Sequence, residues 1–147
     1  VFDVPVVLLL GLVLKPDLTF TSSAVLAFIP ALLMAWLLRF FWGYWLALLA
    51  FWATRADALL AVQDTLIFLL AGQVAPIALL PGALQTAAVI LPFRYMVGFP
   101  VEVLAGQVSG AALQSGLLIQ AGWLALAVLL SAVMWRQGLK HYTAAGG

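Results

Sequence analysis

The last third of the chain contains two contrasting apolar stretches, LPFRYMVGFPVEVLAGQ at residues 91–107 and GLLIQAGWLALAVLLSAVMW at residues 116–135. The second stretch is twenty residues long and carries no charge. A helix of that length rises about 30 Å, which matches the hydrocarbon thickness of a bilayer. It is followed directly by Arg136, Lys140 and His141, and basic residues collect on the cytoplasmic side of membrane spans. Residues 116–135 therefore predict a transmembrane helix that ends at a cytoplasmic C-terminus.

The first stretch does not read as an ordinary span. Its prolines remove backbone donors, and its charged side chains would face lipid in a straight helix. We expect two short helical pieces that enter from the extracytoplasmic side and return, with Arg94 and Glu102 contacting one another or lipid phosphates. This broken element either caps the outer mouth of a path or binds substrate directly. The candidate gate residues are Pro92, Phe93, Arg94, Tyr95, Pro100 and Glu102.

Composition excludes an ordinary soluble domain. Hydrophobic residues make up 67% of the 147 residues and charged residues 7%, where a soluble domain has about a quarter charged. Mean hydropathy is +1.21. A formal net charge of +1 gives no electrostatic footprint for nucleic acid. We expect one domain, residues 1–147, that is an all-α polytopic transmembrane bundle with about four membrane segments.

Upstream of the broken element, three apolar stretches are candidates for the other membrane segments: residues 4–14, 24–53 and 58–80. The first is too short to cross alone and resembles a span cut at its start. The third is interrupted between residues 72 and 76 by glycine and proline, where its helix should end or kink. Counting back from the basic tail places the loop at residues 54–57 in the cytoplasm and residues 81–109 outside.

Charged residues are rare enough in these stretches that each one is informative. Arg39 lies within an aromatic-rich span, where it either makes a polar contact in the translocation seam or subunit interface or snorkels among its neighbours. Asp64 either pairs with a basic group, lines a polar cavity or faces interfacial water. Arg55 and Asp57 in the short loop either only fix the topology and solvate the loop or, as the family resemblance given below implies, touch a cytosolic ATPase.

The sequence contains few residues that could carry out catalysis. The single histidine, His141, lies in the basic tail, and the chain has no cysteine. No cluster has metal-ligand spacing, and there is no phosphate-binding glycine loop. We expect no catalytic residue, no metal and no cofactor. If the protein works in ATP-driven transport, the ATP must bind another subunit.

Five pieces of the chain, in their order and spacing, resemble the permease subunits of bacterial type 2 ATP-binding-cassette exporters. They are residues 91–107 quoted above, LLIQAGWLAL at residues 117–126, WRQGLKHYTAAGG at residues 135–147, FWATRADALL at residues 51–60 and LLAGQVAPIALLP at residues 69–81. The resemblance covers most of the chain and matches the C-terminal portion of such subunits, so that N-terminal spans and the main coupling helix would precede Val1.

The resemblance implies a multi-pass protein of the bacterial inner membrane that forms part of a substrate path. Its implied partners are a cytosolic ATP-binding-cassette ATPase, a second permease subunit in a homo- or heterodimer, and membrane lipids. Two alternatives remain at this point. One is an integral membrane enzyme acting on lipid-linked substrates, for which the scarce polar residues supply no obvious site. The other is a non-catalytic membrane assembly factor.

Overall fold

The computed structural model describes residues 21–49, 56–71 and 77–145, and these residues form helices and no strand. The elements are α1 (Ser22–Leu48), α2 (Ala56–Leu70), a 3₁₀ turn (Ile77–Leu79), α3 (Gly82–Ile90), α4 (Phe93–Met96), α5 (Gly98–Leu104) and α6 (Gly110–Ala145). The predicted all-α class is confirmed. The predicted segment at residues 4–14 and the loop residue Arg55 lie outside the described residues.

Two helices, α1 and α6, dominate the fold. With 27 and 36 residues they are about 40 and 54 Å long, more than a bilayer core needs. Both are long and apolar enough to cross a membrane, and only 17% of the most apolar stretch of each is buried. A core helix of a soluble protein would be mostly covered, so these helices suit lipid contact and the membrane bundle is confirmed. Helix α6 begins at Gly110, six residues before the predicted start of the last span at residue 116.

The two spans run in the same direction. Gln120 of α6 bonds the carbonyl of Ala31 in α1, and Ser131 bonds that of Phe41, so positions increase together along both helices. Alanines lie at their fully buried contact positions, including Ala31 and Ala127. Small residues let helix backbones approach closely in membranes. Two parallel spans require the chain between them to return to the starting face.

Helix α2 makes part of that return. Its Asp64 lies beside Arg39, whereas its end at Ala71 approaches Gly98, which belongs to the other end of the bundle. Helix α2 is therefore antiparallel to α1. Its 15 residues span only about 22 Å, so it is shorter than a bilayer core. Residues 58–80 were predicted as a span whose helix ends or kinks between residues 72 and 76. Helix α2 ends at Leu70, shortly before that interval, and the 3₁₀ turn after it is a separate element.

Residues 90–99 lie against the first half of α6. Phe99 packs at Gly116, the carbonyl of Tyr95 is bonded by Gln120, and that of Ile90 is bonded by Trp123. Residues 90–99 therefore run antiparallel to α6. Trp123 lies thirteen residues below the start of α6, which is about 20 Å along the helix. The chain thus re-enters the bundle at Ile90, deeper than the end of α2.

Candidate functional site

The stretch at residues 91–107 contains helices α4 and α5 and all six candidate gate residues. Helix α3 leads directly into it, so from here on the broken element means α3, α4 and α5, residues 82–104. The predicted interruption at Pro92 is confirmed, because α3 ends at Ile90 and Leu91 is extended with ψ 158°. The residue before a proline avoids helical geometry, which explains that ending. The interruption expected at Pro100 is elsewhere. It lies at Val97, with φ −141° and ψ −56°, between α4 and α5.

Pro100 is the third residue of α5 and does not break it. Backbone N–H groups in the first turn of a helix have no intrahelical partner, so a proline there removes no hydrogen bond. Close packing follows the break at Val97. A Cβ added to Gly98 would lie 2.5 Å from the carbonyl oxygen of Ala71. Glycine allows the start of α5 to touch the end of α2.

An ion pair joins the two halves of the broken element. Nη2 of Arg94 donates to one carboxylate oxygen of Glu102 at 2.5 Å, and Nε donates to the other at 3.2 Å. Each side chain is only 20% exposed. An arginine side chain stays protonated in proteins, so the pair keeps its two opposite charges. The pair therefore holds α4 against α5 with Arg94 charged.

The remaining candidate gate residues are packed into the protein. Pro92, Phe93, Tyr95 and Pro100 are all buried. The Tyr95 hydroxyl donates to the carbonyl of Val89 at 3.3 Å. The ring of Phe93 lies edge-on to that of Trp42, with centroids 6.3 Å apart. These side chains face the element itself and its neighbouring helices.

The face of α6 that holds the broken element was missed in the sequence. Gln120 is fully buried and donates to both Ala31 and Tyr95. A Cβ at Gly116 would overlap the ring of Phe99. A signal was available, because Gly116, Gln120, Ala127 and Ser131 recur at helical spacing and give α6 one small and polar face.

The two charged residues predicted at membrane depth are brought together. Nη2 of Arg39 lies 3.4 Å from Oδ1 of Asp64, which joins α1 to α2. Their side chains remain 48% and 63% exposed. Of the predicted loop pair, Asp57 falls at the start of α2, but its side chain, like all of Arg55, is outside the described part of the chain.

Comparison with known proteins gives one family. No curated protein and no solved structure matches the chain. The family model described as "ABC-2 family transporter protein" matches residues 2–146. That match spans nearly the whole chain and agrees with the apolar spans of α1 and α6. The chain therefore belongs to the ABC-2 transporter family and is a membrane component of a transport system.

Proposed function

We propose that the protein is the transmembrane permease subunit of an ATP-driven exporter. With a second permease subunit it forms the substrate path, and a cytosolic ATP-binding-cassette ATPase drives the cycle. The observation that carries the proposal is the placement of the broken element. It reaches the level of Trp123, about 20 Å down α6, and packs beside both parallel spans. A folded element held at that depth suits a gate.

The burial of the candidate gate residues supports a cap over a direct substrate site. Four of the six side chains are buried against protein, and the other two are engaged with one another. A side chain that binds substrate needs a surface free to meet it. The element is suited to block a path and to move as one body.

The pair formed by Arg39 and Asp64 supports a polar environment on the α1–α2 face. A charged residue facing lipid at the centre of a bilayer costs about 2.5–3.5 kcal/mol on insertion scales. Both side chains are about half exposed, so the protein described leaves them uncovered. We infer that this face meets the aqueous path or the second subunit.

The orientation proposed from the basic tail fits the parallel spans. With the C-terminus in the cytoplasm of a bacterial inner-membrane protein, α1 and α6 both run from outside to inside, and the broken element opens to the outside. The loop with Arg55 and Asp57 then faces the ATPase. Membrane lipids cover the remaining apolar surface.

Co-purification tests whether the permease works with a separate ATPase subunit. The subunit purified alone should hydrolyse no ATP, and an ATPase that co-purifies with it should restore hydrolysis. A variant of that ATPase lacking its phosphate-loop lysine is the matched control and should abolish activity. Hydrolysis by the permease alone, persisting beside the inactive ATPase, would reject the proposal. Turnover of a lipid-linked substrate without ATP would instead favour a membrane enzyme.

A further inference from the structure

Gln120 lies in α6 with none of its surface exposed. A buried amide is costly unless it is hydrogen-bonded. Its Nε2 donates to the carbonyl of Ala31 in α1 at 2.9 Å and to the carbonyl of Tyr95 in the broken element at 2.9 Å. One side chain therefore ties both parallel spans to the broken element.

The carbonyl of Tyr95 is available because the chain breaks immediately afterwards. Helix α4 ends at Met96, and the last carbonyls of a helix have no intrahelical partner. The break at Val97 thus creates the acceptor that Gln120 uses. The acceptor is a backbone atom, so the contact depends on where the element lies and not on the identity of residue 95.

The amide of Gln120 is only partly satisfied. Its Oε1 is buried and meets no donor among the described residues. An unpartnered buried acceptor opposes folding, so this arrangement favours the two donated bonds over maximal stability. An apolar side chain of similar volume would avoid that cost and would lose both bonds.

The broken element is closed by its own bonds, independently of Gln120. Arg94 and Glu102 join α4 to α5, and the Tyr95 hydroxyl joins α4 to the end of α3. Among the described residues, one further side chain of α6 bonds the element: Trp123, which is partly buried, donates to the carbonyl of Ile90 at 3.1 Å. Gln120 is therefore the buried polar tie between an internally stable unit and the spans.

We propose that Gln120 is a positioning residue whose two hydrogen bonds hold the broken element against α1 and α6. We call this pair of bonds the latch. Release of its bond to Tyr95 accompanies movement of the element during transport. The movement rests on the proposed permease function, whereas the latch is a property of the fold and is tested separately.

The test measures two distances in the full-length protein in nanodiscs. Residues 1–147 contain no cysteine. Any cysteine elsewhere in the full-length protein is replaced by serine, so that spin labels attach only at introduced positions. Val101 on the broken element, Leu33 on α1 and Leu129 on α6 are 59%, 57% and 60% exposed, so labels there disturb little packing. The pair 101–129 reports on the element, and the pair 33–129 reports on the two spans.

Gln120→Met keeps the length of the side chain and removes both donors. We expect it to broaden the 101–129 distance distribution or add a second population. The 33–129 distance should stay unchanged, because the buried alanines still pack α1 against α6 and the Ser131 hydroxyl, which shares its one proton between Ala127 and Phe41, still contacts α1. Gln114→Met, an exposed change six residues earlier in α6, is the control and should alter neither distance.

Two results would overturn the latch: an unchanged 101–129 distribution, or equal changes in both distances, which would make Gln120 a general support of the bundle. Gln120→Asn provides a second variant if the methionine protein does not fold. Failure of both to fold would assign Gln120 to stability alone and also reject the proposal. None of these readings uses ATP, so a failed permease assignment is recognised separately.

Discussion

Arg94 and Glu102 face each other across the break at Val97, with two hydrogen bonds between a guanidinium and a carboxylate that are each 20% exposed. The break ends one short helix and begins another, so no backbone ladder joins these halves. The ion pair supplies a connection in place of that ladder. A bidentate arginine–carboxylate pair fixes the relative orientation of the two side chains as well as their distance.

Glu102→Gln should therefore weaken the broken element. It leaves a partly buried guanidinium with a neutral partner, and we expect the free energy of unfolding to fall by about 1–3 kcal/mol. Thermal unfolding in detergent measures the loss, and Arg136→Gln, at an exposed position of α6, should have little effect. The exchanged pair Arg94→Glu with Glu102→Arg should recover part of the stability. A double variant that loses as much stability as Arg94→Glu alone and Glu102→Arg alone added together would contradict the pairing.

Two glycines of α6 should respond in opposite ways to alanine. A Cβ at Gly116 would overlap the ring of Phe99, so Gly116→Ala should lower the free energy of unfolding by about 1–3 kcal/mol. A Cβ at Gly122 meets nothing within 4 Å, so Gly122→Ala should be neutral or stabilise the helix by up to about 1 kcal/mol. Unfolding curves of both variants decide the matter. Equal effects would show that Phe99 does not pack on Gly116.

Cysteine reactivity distinguishes a polar path from lipid at the pair of Arg39 and Asp64. The register of Phe41 with Ser131 places Leu129 of α6 near the depth of Arg39. Asp64→Cys should react with a charged, membrane-impermeant thiol reagent if this face meets water. Leu129→Cys, exposed at similar depth on the apolar surface, should stay unreactive. An unreactive cysteine at position 64 in the assembled transporter would argue that the second subunit covers it, and equal reactivity at both sites would contradict the assignment.

Labelling of intact cells tests the orientation. Introduced cysteines at Asp17 and Gln85 should react with an impermeant reagent from outside, because both lie on the extracytoplasmic side of the proposed topology. Cysteines at Arg55 and Lys140 should react only after the membrane is permeabilised. Each position serves as the control for those on the other face. Labelling of position 140 on intact cells would reverse the topology.

The sequence by itself determined the membrane class, the last span and the end of α3 at Pro92. It also offered the contact between Arg94 and Glu102 as one of two alternatives, the other being lipid phosphates. Each depends on local physics. A long run of uncharged residues suits only the bilayer, a proline restricts the residue before it, and charges eight positions apart in a short broken element have few other partners. These features need no knowledge of distant parts of the chain.

Only the tertiary structure decided the parallel register of α1 and α6, the buried role of Gln120 and the pairing of Arg39 with Asp64. Gln120 meets Ala31 across 89 positions, and Arg39 meets Asp64 across 25. The break at Val97 is followed by Gly98, whose backbone lies against the carbonyl of Ala71, a contact between separate helices that no local pattern encodes. Lipid accepts any apolar helix face, so hydropathy leaves open which faces meet; small residues and a buried amide make that choice through packing and hydrogen bonds.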